Sequence, residues 1–144
     1  MNTKRLLIAS LTGGLISTVL VNTPYVNWIN LLACAGFWIG PIVAVWLYRR
    51  QNGMVAFNQA MLVGLLAGVW HGLFGVLLSP LGLAGAGGVL NGLSRVVQSQ
   101  DLLPALTGIG GLMFNLVGIV VDIVFGFVGG MVGSAIFGAR RVTA

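Results

Sequence analysis

His71 and Asp122 are the titratable side chains, apart from Cys34, that fall inside the long apolar runs of this chain. Ionisable groups inside a membrane are costly and ordinarily face the interior of a helix bundle. An imidazole and a carboxylate placed there can clasp two helices together by a hydrogen bond, or they can relay protons or cations. Helical spacing puts His71 on one face with Ala60, Gly64, Ala67 and Gly75. Asp122 fills the gap in a row of small residues, Gly118, Gly126, Gly130, Ser134 and Gly138. No nucleophile, base and acid fall into a catalytic pattern: there is one His, two acids and no Lys beyond Lys4, with no Gly-x-Ser-x-Gly, phosphate loop or metal-ligand cluster. The expectation is a protein that is not an enzyme and that holds no cofactor or metal.

The composition says where such a pair must operate. Of 144 residues, 58% are hydrophobic and 6% charged, with a mean hydropathy of +1.03. A soluble domain carries about a quarter charged residues, so this surface cannot face water all round. The net charge of +5 is concentrated in pairs at the ends of apolar runs. It forms no basic face for a phosphate backbone, and nucleic acid is not an expected partner. Cys34 stands alone, which excludes an internal disulfide and a cysteine-based zinc site.

Those basic pairs orient the chain. Lys4–Arg5, Arg49–Arg50 and Arg140–Arg141 hold six of the seven Lys and Arg; Arg95 is the seventh. Short loops rich in Lys and Arg stay on the cytoplasmic side. The reading is an all-α, single-domain bundle of four transmembrane helices, spanning approximately 4–21, 28–48, 55–78 and 114–137, with both termini cytoplasmic. The first run follows a basic start but lacks a small-residue cleavage site, so a retained helix is expected rather than a signal peptide. Pro41 removes a backbone donor within the second span and predicts a kink. Residues 49–53 read as a short inside turn.

The stretch Leu81–Met113 is apolar, Gly-rich and broken by Arg95, Asp101 and Pro104. Leu90, Leu93, Val96 and Val97 recur at helical spacing, as in a short amphipathic helix lying on the outer surface. An irregular loop and a re-entrant segment are the alternatives. One straight helix from Leu102 to Phe137 would be about 54 Å long against a hydrocarbon core of about 30 Å, which places a break near Gly108–Gly111.

Lipid gives apolar side chains no reason to leave it, so helices associate through small residues that let backbones approach. Each span has such a row: Gly13 with Ser17 and Gly14 with Thr18; Gly36 with Gly40; Gly64, Gly68 and Gly72; and the fourth-span row above. These rows predict tight contacts, within the chain or between copies. Depth supports the polar pair, since His71 and Asp122 fall about 10 and 12 Å below the same outer edge.

Two resemblances add to this reading. Ala67 and His71 reproduce the Ala-x-x-x-His spacing of light-harvesting antenna helices, and Gly68, Gly72 and Gly75 would leave room for a flat ring. That resemblance implies a weaker alternative, pigment or haem ligation by His71. From Leu15 to Gly72 the chain resembles a loose group of uncharacterised small bacterial membrane proteins. The matching positions are Asn22-Thr23-Pro24, Asn27, Asn30, Cys34, Gly40, Leu47-Tyr48-Arg49-Arg50, Gly64 and Gly68. The resemblance implies a bacterial inner-membrane setting and no particular activity. The expected function is a structural or accessory subunit in the lipid bilayer, as a homo-oligomer or part of a larger membrane complex; a small transporter or channel using His71 and Asp122 is the alternative.

Overall fold

A computed structural model describes residues 3–22, 35–78 and 109–138 of the chain. Among them are four helices: α1 (Thr3–Asn22), α2 (Ala35–Asn52), α3 (Phe57–Leu78) and α4 (Ile109–Phe137). Three segments are long and apolar enough to cross a membrane: Thr3–Val21, Phe57–Leu77 and Leu116–Phe137. As described, α2 has 18 residues and ends in Arg49-Arg50-Gln51-Asn52, and it is not among these segments. The expected beginning of the second span at Trp28, and the expected surface helix between the third and fourth spans, lie outside the described residues.

Two boundaries differ from the sequence expectation. Residues 49–52 are the last turn of α2 rather than an interhelical turn. Gly53 follows at φ 80°, and its N–H donates to Arg49 O at 2.8 Å. The Asn52 amide donates to Tyr48 O at 2.8 Å. These bonds occupy carbonyls that a helix end leaves open, and Arg49 and Arg50 suit the negative end of the helix dipole. Residues 53–56 make the actual turn. Gln59 then closes the start of α3: its side chain accepts from Ala56 N–H at 3.3 Å, while Ala56 O accepts from the Gln59 and Ala60 N–H groups at 3.0 Å. The second difference is in α4, which begins at Ile109 and runs unbroken for 29 residues. Gly110 and Gly111 therefore lie within the helix, while Gly108, where the expected break begins, lies outside the described residues.

The helices run alternately up and down. Arg5 meets Gln51 and Gly13 meets Ala44, which makes α1 and α2 antiparallel. Gly72 meets Ile119 and Gly130 meets Ala60, which makes α3 and α4 antiparallel. The order around the bundle is α1, α2, α4, α3, with the most extensive interface between α3 and α4. α2 and α3 also touch across the shorter diagonal.

The helices are apolar outside and small or polar inside. α1 buries Leu6, Ala9, Ser10, Gly13, Gly14, Ser17, Thr18 and Val21, a repeat of three and four residues. It exposes Leu7, Ile8, Leu11, Leu15 and Val19. The outer face of α4 carries Leu116, Val117, Val120, Val124, Met131 and Ile136. This inversion suits a lipid surround, where close packing and not burial of large apolar groups favours association. Thr18 bonds its own helix, donating to Gly14 O at 2.9 Å, so its hydroxyl does not go unpaired in the interior.

Backbones nearly touch between α3 and α4. A methyl group built on Gly126 would lie 2.6 Å from Gly64 O and 2.8 Å from Gly68 Cα. One built on Gly130 would lie 2.7 Å from Ala60 O. The fourth helix presents a second small row that the sequence reading passed over. A methyl built on Gly129 would lie 2.8 Å from Pro41 Cβ, and one on Gly133 would lie 3.0 Å from Val45 Cβ, both on α2. Pro41 is itself fully buried, so this contact covers the position where α2 lacks a backbone donor.

Gly126→Ala should cost about 1–3 kcal/mol or prevent folding, because the added methyl meets backbone that no rotamer change can move. Gly75→Ala, where nothing lies within 4 Å, should be neutral or stabilising by up to about 1 kcal/mol. Thermal unfolding in detergent, read beside size exclusion, checks both. Equal melting temperatures for the two variants would show that the close approach carries no stability.

Candidate functional site

His71 and Asp122 meet between α3 and α4. His71 Nδ1 stands 3.2 Å from Asp122 Oδ1, and the side chains are 4% and 7% exposed. The distance is in ion-pair range, and Oδ1 has no hydrogen bond among the described residues. The glycines of α3 create the contact. Gly68 lies against Asp122 O, and a methyl on Gly72 would fall 3.3 Å from Asp122 Oδ2. Larger residues at either position would hold α4 away and part the two side chains.

Aromatic rings close the site on the side of α2. Phe37 sets its ring at 86° to the imidazole, 5.3 Å between centroids. Phe125 of α4 lies 5.6 Å from Phe37 and 6.1 Å from Trp38. From α1, Gly14 approaches closely enough that a methyl there would lie 2.5 Å from Trp70 Cβ and 3.0 Å from His71 N. Trp70 stacks with Phe74 at 6.2 Å.

The site extends beyond the pair. Six buried side-chain polar atoms among the described residues have no hydrogen-bond partner. Five of them, Ser17 Oγ, Trp38 Nε1, Trp70 Nε1, His71 Nε2 and Asp122 Oδ1, belong to one level of the bundle, with contributions from all four helices. Counted along each helix, that level is about 20–23 Å from the end that holds Thr3, Asn52, Phe57 and Phe137. Buried polar atoms are ordinarily paired, so such a concentration marks a layer of unspent hydrogen-bonding capacity. Sequence reasoning found His71 and Asp122 because they are ionisable. It missed Trp38 and Trp70, whose rings read as ordinary apolar bulk, and it counted Ser17 only as a small packing residue.

The remaining sequence candidates divide by what they touch. Gly64, Gly68, Gly72, Gly126 and Gly130 lie at the α3–α4 contact. Gly40 lies against Gly13 and Ser17 of α1. Gly36, Gly118 and Ser134 are buried. Gly138 faces no other helix at close range: it ends α4, its N–H donating to Ser134 O at 2.6 Å. The room for a flat ring expected at Gly68 and Gly72 is taken by Asp122 and Ile119, so those two glycines serve the helix contact.

No known protein family matches the chain, and no curated protein or solved structure matches it either.

His71→Leu and Asp122→Leu should each lower stability, and the double replacement should cost less than their sum. The expected coupling is about 0.6 kcal/mol, with about 1.7 as the upper range for interhelical polar pairs. A thermal or chemical unfolding cycle in one detergent measures it. Strict additivity would mean that the two side chains are neighbours without an energetic connection.

Proposed function

We propose that the chain is a non-enzymatic multi-pass protein of the bacterial inner membrane. In this reading it has four crossings and cytoplasmic termini, its helices pack through Gly-rich faces, and it serves as a structural or accessory subunit. The observation that supports this most is the inverted pattern of the helices. Small and polar residues are spent on contacts inside the chain, while Leu, Val and Ile are left on the outside of α1 and α4. A surface of that kind suits lipid, another copy of the chain, or the apolar flank of a larger membrane complex. The His71–Asp122 pair acts here as a polar clasp in an otherwise apolar interface.

A second reading, conduction of protons or cations, draws on the layer of unpartnered polar atoms around the pair. It is the lesser reading because the layer occupies one level. From it to the basic end, the buried residues are chiefly Ala9, Ala44, Val45, Ala60, Val63 and Ala67, with Ser10, Tyr48 and Ser134 as separated polar members. A conducting path needs polar or hydrated stations along its length.

Two measurements test these readings. In intact cells a Cys34→Ser, Met54→Cys variant should resist an impermeant thiol reagent and react only after permeabilisation, since Met54 is exposed in the turn placed inside. Labelling from outside would overturn the topology. Purified protein in vesicles should pass no more protons under a pH gradient than protein-free vesicles do. A flux that Asp122→Asn abolishes in folded protein would promote conduction over the structural role.

A further inference from the structure

We infer that the end of the bundle where α1 begins and α2 ends binds the headgroup of an anionic phospholipid; the inference rests on the membrane reading above. Four cations from two helices gather there, Lys4 and Arg5 on α1 and Arg49 and Arg50 on α2, all exposed. Arg5 pins the two termini together. Its Nη1 donates to Gln51 O at 2.7 Å and to Asn52 Oδ1 at 3.3 Å, across 46 residues of sequence. Part of its donor capacity is thereby committed to protein, and its effect is to bring Lys4 to the end that carries Arg49 and Arg50.

Carboxylates are scarce in this chain. The whole sequence contains two acids. Asp122 sits about 22 Å away by helix rise, beside His71. Asp101 lies outside the described residues. No carboxylate among the described residues lies at the basic end. Several cations held together repel one another, so an external anion stabilises the arrangement.

The surroundings select a lipid as the source of that anion. Trp46 lies one turn before Arg50, is 42% exposed, and has its ring 5.5 Å beneath the Arg50 guanidinium. The cation–π contact keeps that guanidinium along the helix flank, directly above apolar surface. Tryptophan with an apolar body and a polar edge prefers the headgroup level. Leu7 and Ile8 on α1 continue the exposed apolar surface away from the cations. A ligand with phosphate at one end and acyl chains at the other matches both halves, and free phosphate matches only the upper one.

Trp46 also supplies the readout. Protein is reconstituted in vesicles of phosphatidylcholine and phosphatidylglycerol in which either one or the other lipid carries bromine, and the Trp46 signal is taken as the difference between the parent and Trp46→Phe. Brominated phosphatidylglycerol should quench Trp46 as though enriched about fivefold over its share of the bilayer, the order expected for one surface charge. A Lys4→Gln, Arg49→Gln, Arg50→Gln variant should keep quenching by brominated phosphatidylcholine and lose the anionic preference. Equal quenching by the two lipids in the parent, or a preference that survives in the variant, would overturn the site. Abolition of the preference by millimolar inorganic phosphate would overturn it in favour of a free-anion site. Quenching by neither lipid would instead sink the membrane reading on which the site rests.

Discussion

The structure depends on how closely α3 and α4 can approach. Gly64 and Gly68 face Gly126 and Gly130 with no side chain between them, and the meeting of His71 and Asp122 follows from that distance. In a bilayer the helices gain nothing by hiding leucines from lipid, so close dispersion contact between bare backbones is the available source of attraction. The same closeness sets the reach of the polar groups. His71 and Asp122 are short side chains, and they come within 3.2 Å only because Gly68 and Gly72 let α4 settle against α3. The polar pair adds orientation to an interface that glycine spacing has already closed.

Much of this arrangement was legible in the residues. Helix α1 was placed to within a residue at each end because its basic start and the turn-forming residues after Val21 mark it plainly. The α3 end at Leu78 was read from Pro80, since proline two residues on cannot continue a helix. What failed was the placement of breaks. Arg49, Arg50 and Gln51 looked like a turn because they are polar, yet a helix accepts them in its final turn, and only Gly53, with its positive φ, stops it. A break was placed near Gly108–Gly111 because a straight helix from Leu102 would outrun the hydrocarbon core, yet α4 takes in Gly110 and Gly111, and a local preference of about 1 kcal/mol per glycine is small beside tertiary packing.

The candidate site was half legible for a related reason. Ionisable residues inside apolar runs advertise themselves, whereas an indole N–H does not. Trp38 and Trp70 carry one polar atom each on a large ring, and whether that atom is paired is a property of the fold alone. Likewise, Gly129 and Gly133 lay beside a more conspicuous row on the same helix. That one helix could serve two neighbours with adjacent rows follows from the bundle order, with α4 between α2 and α3.

That order has a consequence for how the protein is made. The ribosome produces α4 after α1, α2 and α3, yet α4 is the stave that seals α2 against α3. Until it arrives, the side of His71 that meets Asp122 and the glycine face of α3 lack their partner helix, and the emerging chain presents surfaces it will later hide. A chain interrupted before Ile109 displays such a surface permanently, so completeness of synthesis is written into the geometry as a burial event.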